Sequence, residues 1–123
     1  MTSIDALATS LFAAIEGGDI EAVRAIYAPD AVIWHNTDGL EQDVDTNLRV
    51  LRWVVRNISE RRYGDIRRVV LDDGFVQQHV LNGVGPNGRA FSLPAMLRVW
   101  VSDGRVTRLD EYLDSAHVAA MTA

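Results

Sequence analysis

The stretch YAPDAVIWHN, residues 27–36, decides the fold because the periodicity of the chain changes there. The segment EGGDIEAVRAI directly before it has the apolar spacing of a short helix, which Asp19 is predicted to cap. Pro29 ends that helix, because the residue before a proline avoids the helical region of backbone conformation. Residues 31–35 are therefore predicted to form a strand that carries His35 at its end.

Two further helices are predicted on either side of this strand from apolar residues that recur every three or four positions. The first begins at Thr2 or Ser3 and ends at Gly17-Gly18. The longest begins at Asp43. The two apolar stripes are Ile4, Leu7, Ala8, Leu11, Phe12 and Ile15, and Val44, Leu48, Leu51, Val55 and Ile58.

From residue 62 onward the apolar period becomes two, which is typical of strands. Strands are predicted over 63–71, 75–84, 89–101 and 105–113, separated by glycine-containing turns, and 116–121 is predicted to form a closing helical turn. Helices followed by an antiparallel meander indicate an α+β fold in one domain, residues 1–123. We expect a curved antiparallel sheet roofed by three N-terminal helices, with a ligand cavity between the layers.

Composition excludes several classes of protein. The chain has no cysteine, which excludes disulfides, thiol catalysis and thiolate metal ligands. A net charge of −5 without a long basic run argues against a nucleic-acid partner. No apolar run is long enough to span a membrane, and the N-terminus lacks the basic region of a secretory signal. We therefore expect a cytoplasmic protein with no membrane partner.

The last predicted strand carries one carboxylate among apolar residues. Leu109, Glu111 and Leu113 share the inward face by strand alternation. An unpaired buried carboxylate is costly, so the group takes a partner or keeps its proton. An acid/base site exploits either state. The alternative is a solvated, idle glutamate at the open rim of the sheet.

Histidine is the best-suited general base in this sequence, because its ordinary pKa lies near neutrality. His35 lies on a strand whose two faces are both apolar, so the alternative is a structural histidine. His79 is a rival, because both faces of its strand are mixed as well. The three histidines, at positions 35, 79 and 117, show no metal-binding spacing. We expect neither a metal nor a cofactor.

The front stretch LFAAIEGGDIEAVRAIYAPDAVIWHN and the back stretch GRAFSLPAMLRVWVSDGRVTRLDEYLD resemble the SnoaL-like branch of the nuclear transport factor 2-like superfamily. That superfamily includes ketosteroid isomerases, limonene-1,2-epoxide hydrolases and polyketide cyclases. The resemblance covers essentially the whole chain and implies a cystatin-like, cone-shaped α+β roll. It also implies a homodimer through the outer sheet face, for which the candidates are Trp34, His79, Trp100 and Tyr112.

The resemblance implies roles for individual residues. His35 falls where the isomerases keep their proton-abstracting aspartate, but their two acidic donors fall on Phe12 and Leu97, so steroid isomerisation is not expected. The lone acid on the final strand of the epoxide hydrolases falls on Glu111. Their arginine and second aspartate fall near Val80 and Asn82, and their water-holding tyrosine and asparagine on Ile33 and His35.

The combined expectation is a cofactor-free enzyme acting on an apolar polyketide-, steroid- or terpenoid-like molecule by isomerisation, cyclisation or hydrolysis. His35 is the predicted base, Glu111 its partner or the acid, and Asn82 and Gln78 supply hydrogen bonds. The predicted apolar wall consists of Ile33, Leu51, Val55, Val80, Leu93, Ala95, Leu97, Leu109 and Leu113. The alternatives are a non-catalytic carrier or sensor and a dimeric interaction module.

Overall fold

A computed structural model describes residues 2–123. Its helices are α1 (Ile4–Gly17), α2 (Ile20–Ile26), α3 (Val44–Asn57) and α4 (Ser115–Thr122). Its strands are β1 (Tyr27–His35), β2 (Glu41–Gln42), β3 (Ser59–Leu71), β4 (Gly74–Val84), β5 (Ala90–Ser102) and β6 (Arg105–Leu113). The predicted α+β fold, a sheet roofed by three N-terminal helices, is confirmed, and α4 adds a C-terminal helix to it.

The six strands form one open sheet in the order β2-β1-β6-β5-β4-β3. Neighbouring strands are antiparallel except β1 and β6, which run parallel. Register shifts interrupt the β1–β6, β3–β4 and β5–β6 pairs, and such bulges bend a sheet. The parallel pair is the feature that positions the site, because it places the ends of β1 and β6 side by side.

The helices begin where the sequence predicts. The side chains of Ser3, Asp19 and Asp43 accept hydrogen bonds from the first-turn amides of α1, α2 and α3. Gly18 ends α1 in the left-handed conformation, at φ 75°. The predicted start of β1 at residue 31 is wrong, since pairing with β6 already begins at Tyr27.

Two apolar clusters hold the helices to the sheet. The larger joins α1, α2 and the start of α3 to the middle of the sheet and contains Leu11, Phe12 and Phe75. The smaller includes Val54 and Phe91, with α4 packed against it. Arg61 joins the layers, because its guanidinium donates to backbone carbonyls at the ends of α1 and α3.

Candidate functional site

The ends of β1 and β6 bring His35 and Glu111 together. The two residues are directly paired in the parallel register. Nε2 of His35 lies 3.0 Å from Oε1 of Glu111, and the two side chains are only 17% and 20% exposed. The structure therefore places both predicted side chains on the inner face of the sheet and in hydrogen-bond contact. Their catalytic roles stay predictions.

Each partner in this contact has a second polar atom that remains available. Among residues 2–123, no buried side-chain nitrogen or oxygen lacks a hydrogen-bond partner. Nδ1 of His35 and Oε2 of Glu111 make no hydrogen bond to those residues, so neither atom can be sealed inside the protein. Both residues line the cavity described below. A ligand in the cavity can therefore contact Nδ1 of His35 and Oε2 of Glu111.

Opposing effects act on the pKa of His35. Burial, the largest effect, lowers the pKa because it disfavours the charged imidazolium. The hydrogen bond to Glu111 and the charges of Glu111 and Asp38 raise it. Together these contributions outweigh burial, so the pKa of His35 lies above its ordinary value of 6.5. A histidine whose pKa is raised in this way is a stronger base than a free one.

A cavity of about 320 Å³ lies between the inner face of the sheet, α3 and α4. Its wall combines ten apolar side chains with eight polar or charged ones, and an apolar wall with placed polar groups is usual for a small-molecule site. The lining residues are Ile15, His35, Thr37, Asp38, Gln42, Asn47, Val50, Leu51, Val54, Tyr63, His79, Leu81, Leu93, Ala95, Glu111, Leu113, Val118 and Met121.

The predicted apolar wall is only partly at the cavity. The residues that line it are Leu51, Leu93, Ala95 and Leu113. Others point inward but belong to the packed core beside it, and these are Ile33, Leu97 and Leu109. Val55 does not line the cavity either, because its side chain lies against Gly18 at the end of α1. These four residues therefore do not line this cavity.

Three predicted site residues on β4, Gln78, Val80 and Asn82, lie on the outer face of the sheet and do not line this cavity. Phe75, at the start of β4, is completely buried and points inward, so Gln78, Val80 and Asn82 point outward by alternation. Gln78 and Val80 line a groove on the outer face. The side-chain oxygen of Asn82 accepts a hydrogen bond of 2.7 Å from the Ser92 hydroxyl on that face.

The same parity turns His79 inward, although the resemblance assigns it to the outer, dimer-forming surface. The imidazole is 4% exposed and lies against the rings of Phe12 and Tyr63. Nδ1 lies 2.8 Å from Nε2 of Gln77. Burial, the largest effect, lowers the pKa of His79, the charge of Glu111 opposes that change, and the charge of Arg68 adds to it. His79 is therefore neutral at pH 7.

The sequence interpretation also missed polar residues contributed by β1, β2 and α3. The hydroxyl of Tyr27 donates to Oδ1 of Asn47 over 3.1 Å, and Nδ2 of Asn47 donates to Oε1 of Gln42 over 3.3 Å. The Tyr27 hydroxyl must be the donor, because its proton has no other partner within residues 2–123. The Gln42 amide is thus oriented with its oxygen engaged, at the cavity wall. The only sequence signal for this series of hydrogen bonds is the position of Asn47 on the inward-facing stripe of α3.

The residues that the structure describes contain no cluster of side chains that would support metal binding. Over residues 2–123, no group of three or more histidine, aspartate or glutamate side chains is arranged to hold a metal ion. Within the same range, no helix is both long and apolar enough to cross a membrane. A cofactor-free site stays a prediction.

Comparison with protein families decides the affiliation of the chain. The SnoaL-like domain model matches residues 8–109, which is most of the sequence. The chain belongs to the SnoaL-like family. The search of curated proteins gives no match.

Several solved structures share the fold over nearly their whole length. A proposed polyketide cyclase from Pseudomonas putida is 20% identical with a TM-score of 0.85, and the alignment covers 100% of both chains. IdmH, a proposed polyketide cyclase from Streptomyces antibioticus, is 22% identical with a TM-score of 0.84 over 98% of each chain. A Catenulispora acidiphila protein with a ketosteroid isomerase-like fold, in complex with trimethylamine, is 15% identical with a TM-score of 0.81, covering 94% and 91%. At these identities the likeness supports the fold alone.

Proposed function

We propose that this SnoaL-like protein is a cofactor-free enzyme that moves a proton on a small, mostly apolar carbonyl compound of polyketide, steroid or terpenoid type. One observation carries the proposal. His35 and Glu111 are in hydrogen-bond contact, 3.0 Å apart, on the wall of a cavity that is otherwise mostly apolar. A general base needs a neighbour that orients it and a sheltered place for its substrate, and this arrangement supplies both.

The proposed step is abstraction of a proton from a carbon next to a carbonyl group. With its proton on Nε2, which lies 3.0 Å from the Glu111 carboxylate, neutral His35 keeps a free electron pair on Nδ1. Nδ1 takes the proton, and the electron pair of the C–H bond becomes the enolate. The Glu111 carboxylate stabilises the imidazolium that forms. For isomerisation, the enolate takes the proton back from Nδ1 at another carbon. For cyclisation, the enolate carbon attacks a second carbonyl, and the alkoxide that forms takes the proton from Nδ1.

The size of the cavity limits the substrate. A volume of about 320 Å³ lies at the lower end of the range for small-molecule sites, roughly 300–1,000 Å³. A compound of two or three fused rings fits such a volume. The aliphatic residues on the β5 side, Leu93 and Ala95, and those on α4, Val118 and Met121, supply apolar contact for its hydrocarbon part.

The experiment follows hydrogen exchange on a panel of bicyclic and tricyclic ketones that includes 1-tetralone. The protein is incubated with each ketone in D₂O, and deuterium incorporation next to the carbonyl is measured by mass spectrometry. We expect exchange above the buffer rate for at least one ketone, and we expect His35→Ala to reduce it by about 100-fold or more.

The control variant is His117→Ala, which removes an exposed histidine on α4. It should leave the exchange rate unchanged. If ketones bind but none exchanges faster than in buffer, the protein is a carrier and the enzymatic proposal fails. If His35→Ala exchanges as fast as the unaltered protein, the assignment of the base is wrong.

We also propose a homodimer through the outer face of the sheet. Several large apolar side chains are exposed there, among them Ile66, Met96 and Tyr112, which border one groove. Trp34 packs edge-on against Tyr112, and Trp100 lies beneath the guanidinium of Arg98. Sedimentation equilibrium should give twice the mass of the chain, and Met96→Glu should shift it toward the monomer. A monomeric mass for the unaltered protein would contradict this.

A further inference from the structure

A chain of hydrogen bonds on β3 and β4, separated from Glu111 on β6 by the intervening strand β5, ends at His79, a residue that the proposed reaction does not use. Nε of Arg68 donates to Oε1 of Gln77 over 2.8 Å, and Nε2 of Gln77 lies 2.8 Å from Nδ1 of His79. Arg68 also pairs with Asp5 of α1 over 2.8 Å and donates to the Thr9 hydroxyl. The chain therefore begins at a charged anchor and ends at the cavity.

The donor character of arginine fixes the direction of every bond in this chain. A guanidinium has no acceptor, so the group of Gln77 that faces Arg68 must be its oxygen. The NH₂ group of Gln77 consequently faces His79 and donates to Nδ1. A nitrogen that accepts a hydrogen bond carries no proton, so the single proton of neutral His79 lies on Nε2.

The Nε2–H group is available from the cavity. Nε2 of His79 makes no hydrogen bond to residues 2–123, and within those residues no buried side-chain nitrogen lacks a partner. Nε2 must therefore reach accessible space. His79 lines the cavity that also contains His35 and Glu111.

We propose that His79 is a fixed, neutral hydrogen-bond donor that binds an acceptor oxygen of the ligand, a carbonyl or enolate oxygen, through Nε2–H. Arg68 and Gln77 are its positioning residues. The proposal rests on the proposed function only in that the same cavity holds the ligand. It adds a specificity that the His35–Glu111 pair does not supply, which is selection for an oxygen acceptor at the part of the cavity wall formed by β4.

The neighbouring hydroxyl of Tyr63 supports the same selection. Its ring lies 4.7 Å from that of His79, and Tyr63 also lines the cavity. Burial and the charge of Glu111 raise the pKa of Tyr63, so its hydroxyl keeps its proton at neutral pH. That hydroxyl has no hydrogen-bond partner within residues 2–123, so it too is accessible. Two neutral donors thus lie together on this part of the wall.

The first test reads the proton position directly, without a ligand. Protein labelled with ¹⁵N in its histidines is recorded in a long-range ¹H–¹⁵N correlation spectrum at pH 7. We expect His79 to show a protonated Nε2 and an unprotonated Nδ1. Asp5→Asn, which keeps the Arg68–Gln77 bond, should preserve this tautomer, whereas Arg68→Met should give a mixture because the Gln77 amide can then turn over. A protonated Nδ1 in the unaltered protein would overturn the proposal.

The second test measures binding of 1-tetralone against tetralin, the same ring system without the carbonyl oxygen. Replacing His79 by Phe should weaken the binding of 1-tetralone about tenfold, since one hydrogen bond is lost. The same change should leave the binding of tetralin nearly unchanged. His117→Ala should change neither. Equal effects on both compounds, or no binding of either to the unaltered protein, would contradict the proposal.

The proposed function and this proposal fail in different ways. His35→Ala should abolish exchange of the ketone but keep the distinction between 1-tetralone and tetralin. Absence of exchange in the unaltered protein, with that distinction intact, would count against the enzymatic proposal alone.

Discussion

His35 and His79 line the same cavity and are both largely withdrawn from solvent, yet their neighbours differ in charge. His35 contacts the carboxylate of Glu111, and its pKa lies above the ordinary value. His79 contacts the neutral amide of Gln77, and its pKa lies below it. Burial alone lowers the pKa of both rings. The comparison shows that the partner, rather than the imidazole, decides whether the ring exchanges a proton or holds one.

The largest expected effect comes from replacing Glu111, the charged partner of His35, by a neutral residue. Glu111→Gln removes the charge that outweighs burial, so the pKa of His35 should fall below its ordinary value. Ketone exchange should drop by about 100-fold, because the base loses its orienting group. Both are measured by NMR titration and by deuterium incorporation.

Glu41→Gln is the matched control for that change. Glu41 is a carboxylate paired with Arg108, outside the cavity lining. Its replacement should leave the pKa of His35 and the exchange rate in place. An equal loss in both variants would mean that Glu111 acts only through general stability.

The reverse change should make His79 resemble His35. Gln77→Glu keeps the contact with Arg68 and places a carboxylate beside Nδ1, which should raise the pKa of His79 above its ordinary value. Gln78→Glu is the control, since it makes the same substitution one residue later on the outer face. NMR titration of both variants distinguishes a specific contact from an added negative charge.

His35 and His79 should change the stability of the protein with pH in opposite directions. In the unfolded chain His79 takes up a proton at its ordinary pKa, whereas in the folded protein its pKa is lower. This residue therefore lowers the stability of the protein as pH falls below about 6.5. His35 has a raised pKa, so its contribution is fully present below 6.5 and is lost as pH rises through the folded value. His79→Phe should therefore reduce the loss of stability on acidification in urea unfolding, whereas His117→Ala should not.

The smallest expected effect concerns the anchor of the His79 chain. Asp5 is exposed, so its pair with Arg68 is screened by water. Asp5→Asn should cost less than about 1 kcal/mol in urea unfolding. Asp73→Asn, which breaks the pair with Arg98 on the outer face, is a matched control and should cost a similar amount. A loss of several kcal/mol for Asp5→Asn alone would show that α1 depends on this contact.

The inward orientation of Glu111 could be predicted from its strand, whereas that of His35 could not, because both faces of the His35 strand are apolar. Leu109 and Leu113 fix the inward parity of β6 and place Glu111 on the same face. The apolar run of residues 31–35 indicates a strand that ends at His35, although β1 already begins at Tyr27 and contains Pro29. The pairing of β1 with β6 could not be predicted from these residues, because it joins strands from opposite ends of the sequence.

The orientation of β4 could not be decided by alternation between residues 77 and 82, since both faces mix polar and apolar side chains. The residue that settles it is Phe75, whose completely buried ring places Gln77, His79 and Leu81 inward. An error of one residue moves every side chain of a strand to the other face. The orientation of the Gln77 side-chain amide also could not be predicted from the sequence, because it depends on a hydrogen bond from Arg68 on the neighbouring strand β3.

The most direct test of the contrast is a single pH titration of the unaltered protein followed through its histidine ring signals. We predict that the ring of His35 titrates above the ordinary histidine value and that the ring of His79 titrates below it. Titration of both rings on the same side of that value would contradict the account, because burial would then dominate both sites or neither.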